Sequence, residues 1–256
     1  MKKILVFGGS HVSQVASAYW QLRTEKALPP DLKLDFISAP GPVLSRLRVT
    51  GSHLHLLDKP EQWPTLALPK EMFDGWHDSI ASRLKELAGD GIDRVDLRSF
   101  EHNFFIGGQL LRDWEKVDRL IESQVFSSGC LMSVGSDLVQ TSHFHYCLRD
   151  QDKTSADFRI VSSFEPIVSE LSPDFLIATH KSGRLSRVTE LLRCAAHTLG
   201  YEILPFPDEL LNEDGNAVAA RYHSGKENDF YHMNVLGGIR ILHSMLATID
   251  DNDKVL

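Results

Sequence analysis

The sequence predicts an α/β protein in which a mainly parallel sheet of about five strands is covered by helices on both faces, a three-layer α/β/α arrangement. Two observations carry this. Apolar runs of strand length alternate with stretches of helical period along most of the chain. What separates them is glycine- and proline-rich turn signals, with no internal repeat and no low-complexity linker, so residues 1–256 read as a single domain.

The elements follow in order. "KILVFGG" reads as the first strand and "HVSQVASAYWQLRTEKA" as the helix after it. "LKLDFISAP" is the second strand, closed by the turn signal "PGP". A less regular stretch containing "HLHLLDKPEQWP" precedes a helix over "PKEMFDGWHDSIASRLKELAGDGI", which stops at glycine. "RVDLRSFEHN" is the third strand and "GGQLLRDWEKVDRLIESQVF" the helix after it. Residues 127–173 break the rhythm and read as a partly helical elaboration on the core. "DFLIATH" is then the fourth strand, "GRLSRVTELLRCAAHTLG" a helix, "YEILPFP" the fifth strand and "NVLGGIRILHSMLATI" the closing helix.

Composition narrows the function. At 42% hydrophobic and 24% charged residues the chain has ample core for one large domain. A net charge of -8 argues against a surface built to hold phosphate backbones, and the small basic clusters "SRLRV" and "HKSGRLSR" read as solvated loop and helix residues, so no nucleic-acid partner is implied. Cys130, Cys147 and Cys194 are too few and too scattered for a disulfide framework and read as reduced, mostly buried thiols. The opening "MKKILVFGGS" is too short and too soon broken by glycine and serine for a signal peptide, and no apolar run approaches the ~20 residues of a membrane span, so the expected compartment is the cytoplasm.

In an open parallel sheet, functional groups collect at the carboxyl ends of the strands. There stands "FGGSHVSQ", whose glycines permit a tight turn and whose Ser10 precedes a helix. Taken alone, Ser10 reads as a helix cap, or the turn as a phosphate cradle, although neither G-x-G-x-x-G nor the Walker pattern is present. The distant "DFYHMN" adds an acid and an imidazole three residues apart before the last helix. A serine hydroxyl is a weak nucleophile until an imidazole accepts its proton, and the imidazole needs an acid to fix its tautomer. Asp229 and His232 supply those two groups.

Taken together, "VFGGSHVS" after the first strand, a glycine after the second, an asparagine after the third and "DFYHMNVLGG" before the last helix resemble the SGNH (GDSL-type) hydrolases. The resemblance implies a flavodoxin-like fold and an esterase or deacylase working through an acyl-enzyme, without a cofactor or metal. It implies Ser10 as nucleophile, His232 as base and Asp229 as the residue that orients the base. The oxyanion hole would comprise the Ser10 amide, the Gly41 amide (Gly51 fits less well) and the Asn103 side chain. The implied substrate is a small-molecule or carbohydrate acyl ester. Two blocks depart from the family pattern. Gly8, Gly9 and Ser10 stand where the family reads G-D-S, and Glu101, His102, Asn103 and Phe104 stand where it reads G-x-N-D. A non-catalytic binder of a glycan or acylated partner, and a nucleotide- or flavin-binding domain, are the competing readings.

The other histidines have ordinary explanations. His11 reads as a helix-start residue or a site wall, and His102 as a strand-end residue or one that faces the pocket. His143 and His145 alternate as in a strand, and His53 and His55 do the same, without the spacing of a metal site.

Overall fold

A computed structural model describes residues 2–39, 41–44, 46–57, 70–89, 92–107, 119–151, 158–161, 184–204, 207–213, 218–226 and 232–253. In chain order its elements are β1 (Lys2–Gly8), α1 (Val12–Thr24), β2 (Leu32–Ser38), α2 (Gly41–Leu44), β3 (Leu47–Gly51), β4 (His53–Leu56), α3 (Lys70–Ala88), β5 (Arg94–Asp96) and β6 (His102–Ile106). There follow α4 (Ser128–Gln140), α5 (His143–Leu148), β7 (Asp150–Gln151), β8 (Phe158–Val161), α6 (Arg184–Thr198), β9 (Ile203–Leu204) and α7 (Val235–Asp253).

Alternation along β1 decides the layering. Ile4 and Val6 point into a cluster with Val12, Val15 and Tyr19 of α1 and Ile241, Leu242 and Met245 of α7. Leu5 and Phe7 point to the opposite face, into a cluster with Ile80 and Leu84 of α3 and Leu192, Ala195 and Ala196 of α6. Successive strand residues face opposite sides, so a strand apolar at every position needs a helical layer on each. The main sheet runs in the order β2-β1-β6-β8-β9 with every pairing parallel. This is the doubly wound, flavodoxin-like order, in which the chain reverses its direction of travel between β1 and β6.

Polar side chains tie the layers together. Arg23, in the last turn of α1, donates to the carbonyls of Pro29, Pro30 and Leu32 and so holds the loop that enters β2. Asp35, buried on β2, takes a 3.1 Å bond from Arg83 of α3.

The structure departs from the sequence reading in four places. A second sheet, β5-β4-β3-β7, lies where the sequence suggested an irregular stretch. β3 and β4 form a hairpin through Gly51 and Ser52, with Thr50 paired to His53, and Leu47, Val49 and Leu54 bury the inner face against the α3 side of the core. Next, "RVDLRSFEHN" is two strands. Asp96 accepts from the Arg98 amide and turns the chain through a short 3-10 segment, Leu97–Ser99, so β5 joins the second sheet and β6 the main one. Third, Phe158–Val161 lies inside the expected elaboration yet is a strand of the main sheet, paired with β6 and β9. "DFLIATH", expected as the fourth strand, lies outside the described residues. Fourth, His143 and His145 stand on helix α5 rather than a strand, because the Ser142 hydroxyl accepts from the His145 amide and caps it. The Nδ1 of His145 lies 2.8 Å from the Tyr201 hydroxyl.

Cys147 alone of the three thiols is buried; Cys130 and Cys194 are exposed, and all three are free. Among the described residues no helix is long and apolar enough to cross a membrane.

Candidate active site

Ser10 sits where β1 leaves the sheet, at the reversal between β1 and β6 where ligands of such folds bind. The turn beneath it is held by both neighbouring strands. The Gly9 amide donates to the Ile106 carbonyl at 2.7 Å, the Ala39 amide donates to the Gly8 carbonyl at 2.7 Å, and the Ser38 hydroxyl donates to the Gly9 carbonyl at 3.3 Å. Gly8 has φ +138°, and a Cβ there would fall on the Ile106 carbonyl oxygen. Gly107 answers it from the end of β6, with φ +109° and space for a Cβ only 3.3 Å from the Gly9 nitrogen. Two backbones touch at this point, and only glycine on each side allows it.

The chain then turns into α1. The Ser10 carbonyl accepts from both the amide and the hydroxyl of Ser13, at 3.1 and 2.7 Å, which fixes the Ser10 backbone. The first turn of α1 carries no acidic residue and the N-cap, His11, makes no side-chain cap bond, so nothing within the helix itself offsets the positive end of its dipole beside Ser10. Among the described residues the Ser10 amide has no acceptor, which leaves it free for an oxyanion.

His232 comes from 222 residues away, and its Nε2 lies 2.7 Å from the Ser10 Oγ. Contacts on both sides of it bring it there. The Ser224 amide donates to the His232 carbonyl at 3.0 Å, and His223 bridges Met233 in antiparallel fashion. Asn234 accepts from the Gly237 amide at 3.1 Å, as an N-cap of α7 does, while its amide group donates to the Arg221 carbonyl at 2.8 Å. Gly238, one turn into α7, faces the backbone of Gln14 and Val15 on α1 with no room for a Cβ. The helices that follow Ser10 and His232 therefore meet backbone to backbone.

Asp229 and the rest of residues 227–231 lie outside the described residues. Gly41 opens α2 immediately past β2, and Leu44 of the same short helix packs 3.8 Å from where a Gly9 Cβ would stand, so α2 lies beside the Ser10 turn. Asn103 is not brought to the site. It pairs with Leu5, three residues back from Gly8 along the sheet, is fully buried, and donates to the Leu97 carbonyl at 3.2 Å. The reason is strand length: the apolar run Phe104, Phe105, Ile106 carries β6 on past Asn103, and Gly107 is where the strand reaches the edge. Sequence reading missed Gly107, although the apolar run ending in two glycines signals it. It also missed Gly238 as a helix contact, which no local pattern announces.

Among the described residues no group of three His, Cys, Asp or Glu could hold a metal ion. The polar elements present are a hydroxyl in contact with an imidazole and a free amide at a helix start. Such a set transfers a proton and stabilises a negative oxygen, which is the equipment of acyl transfer.

No protein-family model matches the chain, and a search of curated proteins finds no match. Among solved structures it is similar to the lipase Lip_vut3 from a goat rumen metagenome, at 11% identity and TM-score 0.44, covering 96% of this chain and 97% of that one. It is similar to the periplasmic domain of a Salmonella ser. Paratyphi A lipopolysaccharide acetyltransferase, at 10% identity and TM-score 0.43, covering 97% and 84%. A carbohydrate acetylesterase family member from Sinorhizobium meliloti is similar at 14% identity and TM-score 0.41, covering 97% of each chain. At such values the chain's own site has to carry any functional reading.

Proposed function

We propose that the chain is a serine esterase or deacylase of the SGNH type, acting on an acyl ester carried by a carbohydrate or a small metabolite. The observation that carries this is the 2.7 Å contact between Ser10 Oγ and His232 Nε2 at the carboxyl edge of the sheet.

In this reading Ser10 Oγ attacks the ester carbonyl carbon while His232 Nε2 takes the hydroxyl proton. The carbonyl oxygen becomes an oxyanion, held by the Ser10 amide and the start of α1, and losing one such donor costs about 2.7–4 kcal/mol of barrier. The imidazolium then gives its proton to the leaving alcohol oxygen as the C–O bond breaks. A water, deprotonated by the same imidazole, attacks the acyl-enzyme, and the imidazolium returns that proton to Ser10 Oγ as the C–Oγ bond breaks and the acid leaves. Asp229 takes the role of orienting His232, and Gly41 offers a second amide. With β6 ending at Ile106, the family's G-x-N pattern counts onto the residues that follow, Gly107, Gly108 and Gln109, so Gln109 rather than Asn103 is the side-chain donor in this proposal.

The test is intact-mass detection of fluorophosphonate labelling on the wild type, Ser10→Ala and His232→Ala. A single adduct on the wild type that is absent from both variants supports the reading. A folded wild type that takes no adduct, or a Ser10→Ala protein that still takes it, overturns the reading and favours the binding alternative.

A further inference from the structure

His11, the residue directly after the nucleophile, is not used by the chemistry above, yet its ring stands edge to face with that of His232, centroids 5.5 Å apart and planes at 75°. We propose that His11 is a positioning residue, whose ring packs against the base and holds the imidazole of His232 in the rotamer that meets Ser10. The proposal rests on the esterase reading for its consequence in rate, but not for the contact itself.

A base that must receive a proton from one hydroxyl has two soft torsions, and a carboxylate at its far nitrogen restrains mainly the tilt of the ring. A second ring against the face or edge restrains rotation as well, and perpendicular pairs with centroids at 4.5–7 Å are the favoured aromatic geometry. The placement of His11 suits this task. It is the N-cap of α1, with its backbone in the helical region, so its Cβ direction is set by the helix that also sets Ser10. The Ser10–His11 peptide thus holds nucleophile and brace at a fixed spacing. The base enters from the start of α7, and α7 meets α1 at Gly238 against Gln14 and Val15. The ring contact and the helix contact are therefore two separate ties between the same two segments, one about a turn further along α1 than the other. The Gly238 contact sets how far apart the helices lie, and the His11 contact sets how the imidazole is turned.

Two measurements test it on the full chain. The first is independent of activity: 13C relaxation at Cδ2 and Cε1 of the His232 ring, assigned by its loss in His232→Ala. His11→Ala is expected to increase the mobility of that ring, and His11→Phe to restore its order, because phenylalanine keeps the edge-to-face contact without the nitrogens. The second is the fluorophosphonate labelling rate, expected to fall about 3- to 10-fold in His11→Ala, the size of one aromatic pair, and to recover in His11→Phe. Equal ring order in wild type and His11→Ala overturns the proposal. So does a His11→Phe protein as slow as His11→Ala, which would make the nitrogens and not the packing the working part. A wild type that takes no label counts against the esterase reading alone, since the relaxation comparison still decides the contact.

Discussion

Replacing Gly238 with alanine tests whether the helix crossing sets the distance between His232 and Ser10. The added Cβ would press on the Gln14 carbonyl oxygen, 2.7 Å from the carbonyl carbon and 3.1 Å from the Val15 nitrogen. These are backbone atoms inside α1 and cannot swing aside. To clear the carbonyl carbon alone, from 2.7 Å to the 3.4 Å where ordinary contact begins, α7 has to withdraw by at least about 0.7 Å. Overpacking of this kind costs about 1–3 kcal/mol, offset by up to about 1 kcal/mol from the better helix propensity of alanine. The functional effect is expected to be larger than the stability effect. His232 lies only six residues before Gly238, and a 2.7 Å contact lengthened by the same 0.7 Å is no longer a good hydrogen bond. A misplacement of about 1 Å can cost on the order of 100-fold in rate, so the labelling rate of Ser10 is expected to fall about 10- to 100-fold at a temperature where the variant is fully folded. Thermal unfolding and labelling kinetics measure the two quantities on one preparation. Gly75→Ala, within α3, is the control, because a Cβ there would meet nothing within 4 Å. A Gly238→Ala protein with unchanged melting and unchanged labelling would refute the crossing as the determinant of site geometry.

Asn234→Ala removes the cap of α7 and the tie to Arg221, and is expected to cost about 1–2 kcal/mol in urea unfolding. Asn234→Asp keeps the acceptor for the Gly237 amide but loses the donor to Arg221, so it should lie between the two. Thiol alkylation followed by mass spectrometry is expected to modify exposed Cys130 fastest. Cys194 should follow more slowly, its pKa raised by burial and by the Glu190 carboxylate it bonds, and Cys147 should react only after unfolding, because burial pushes its thiol up. Burial, ahead of the nearby Arg94 and Arg48 charges, holds the pKa of His55 below its ordinary 6.5. The unfolded chain therefore takes up a proton before the folded one does, so the stability tied to neutral His55 is complete above pH 6.5 and is lost as the pH falls through the folded value. His55→Asn should flatten that part of the stability profile between pH 7 and 5.5, as read by melting temperature; an unchanged slope would show that other groups carry it.

The layering was legible because it is written locally. Ile4, Leu5, Val6 and Phe7 are apolar in sequence, and a strand apolar at every position demands cover on both faces whatever else the chain does. The turn of Gly8 and Gly9 and the helix after Ser10 were legible for the same reason. Asn103 was misread because a residue type in the right block says nothing of how far the strand runs past it, and register is settled by pairing with Leu5 rather than by the motif. The second sheet escaped notice because its strands are three to five residues long or shorter, too brief for periodicity, and are stabilised by partners far along the chain, such as Asp150 against the buried Arg48 at 2.9 Å.

By itself the sequence determined the class of fold, the turn that carries Ser10, and the place of His232 just before the last helix, since each depends on propensities and caps within a few residues. Tertiary structure alone decided that β6 runs on to Ile106, that Phe158–Val161 enters the main sheet, and that His232 stands 2.7 Å from Ser10 with His11 against its ring. Those outcomes turn on contacts between segments far apart in the chain, such as Ser10 and His232, 222 residues apart. The glycines that permit them, Gly8 against Ile106 and Gly238 against Gln14, look in sequence like any other glycine until the partner is known.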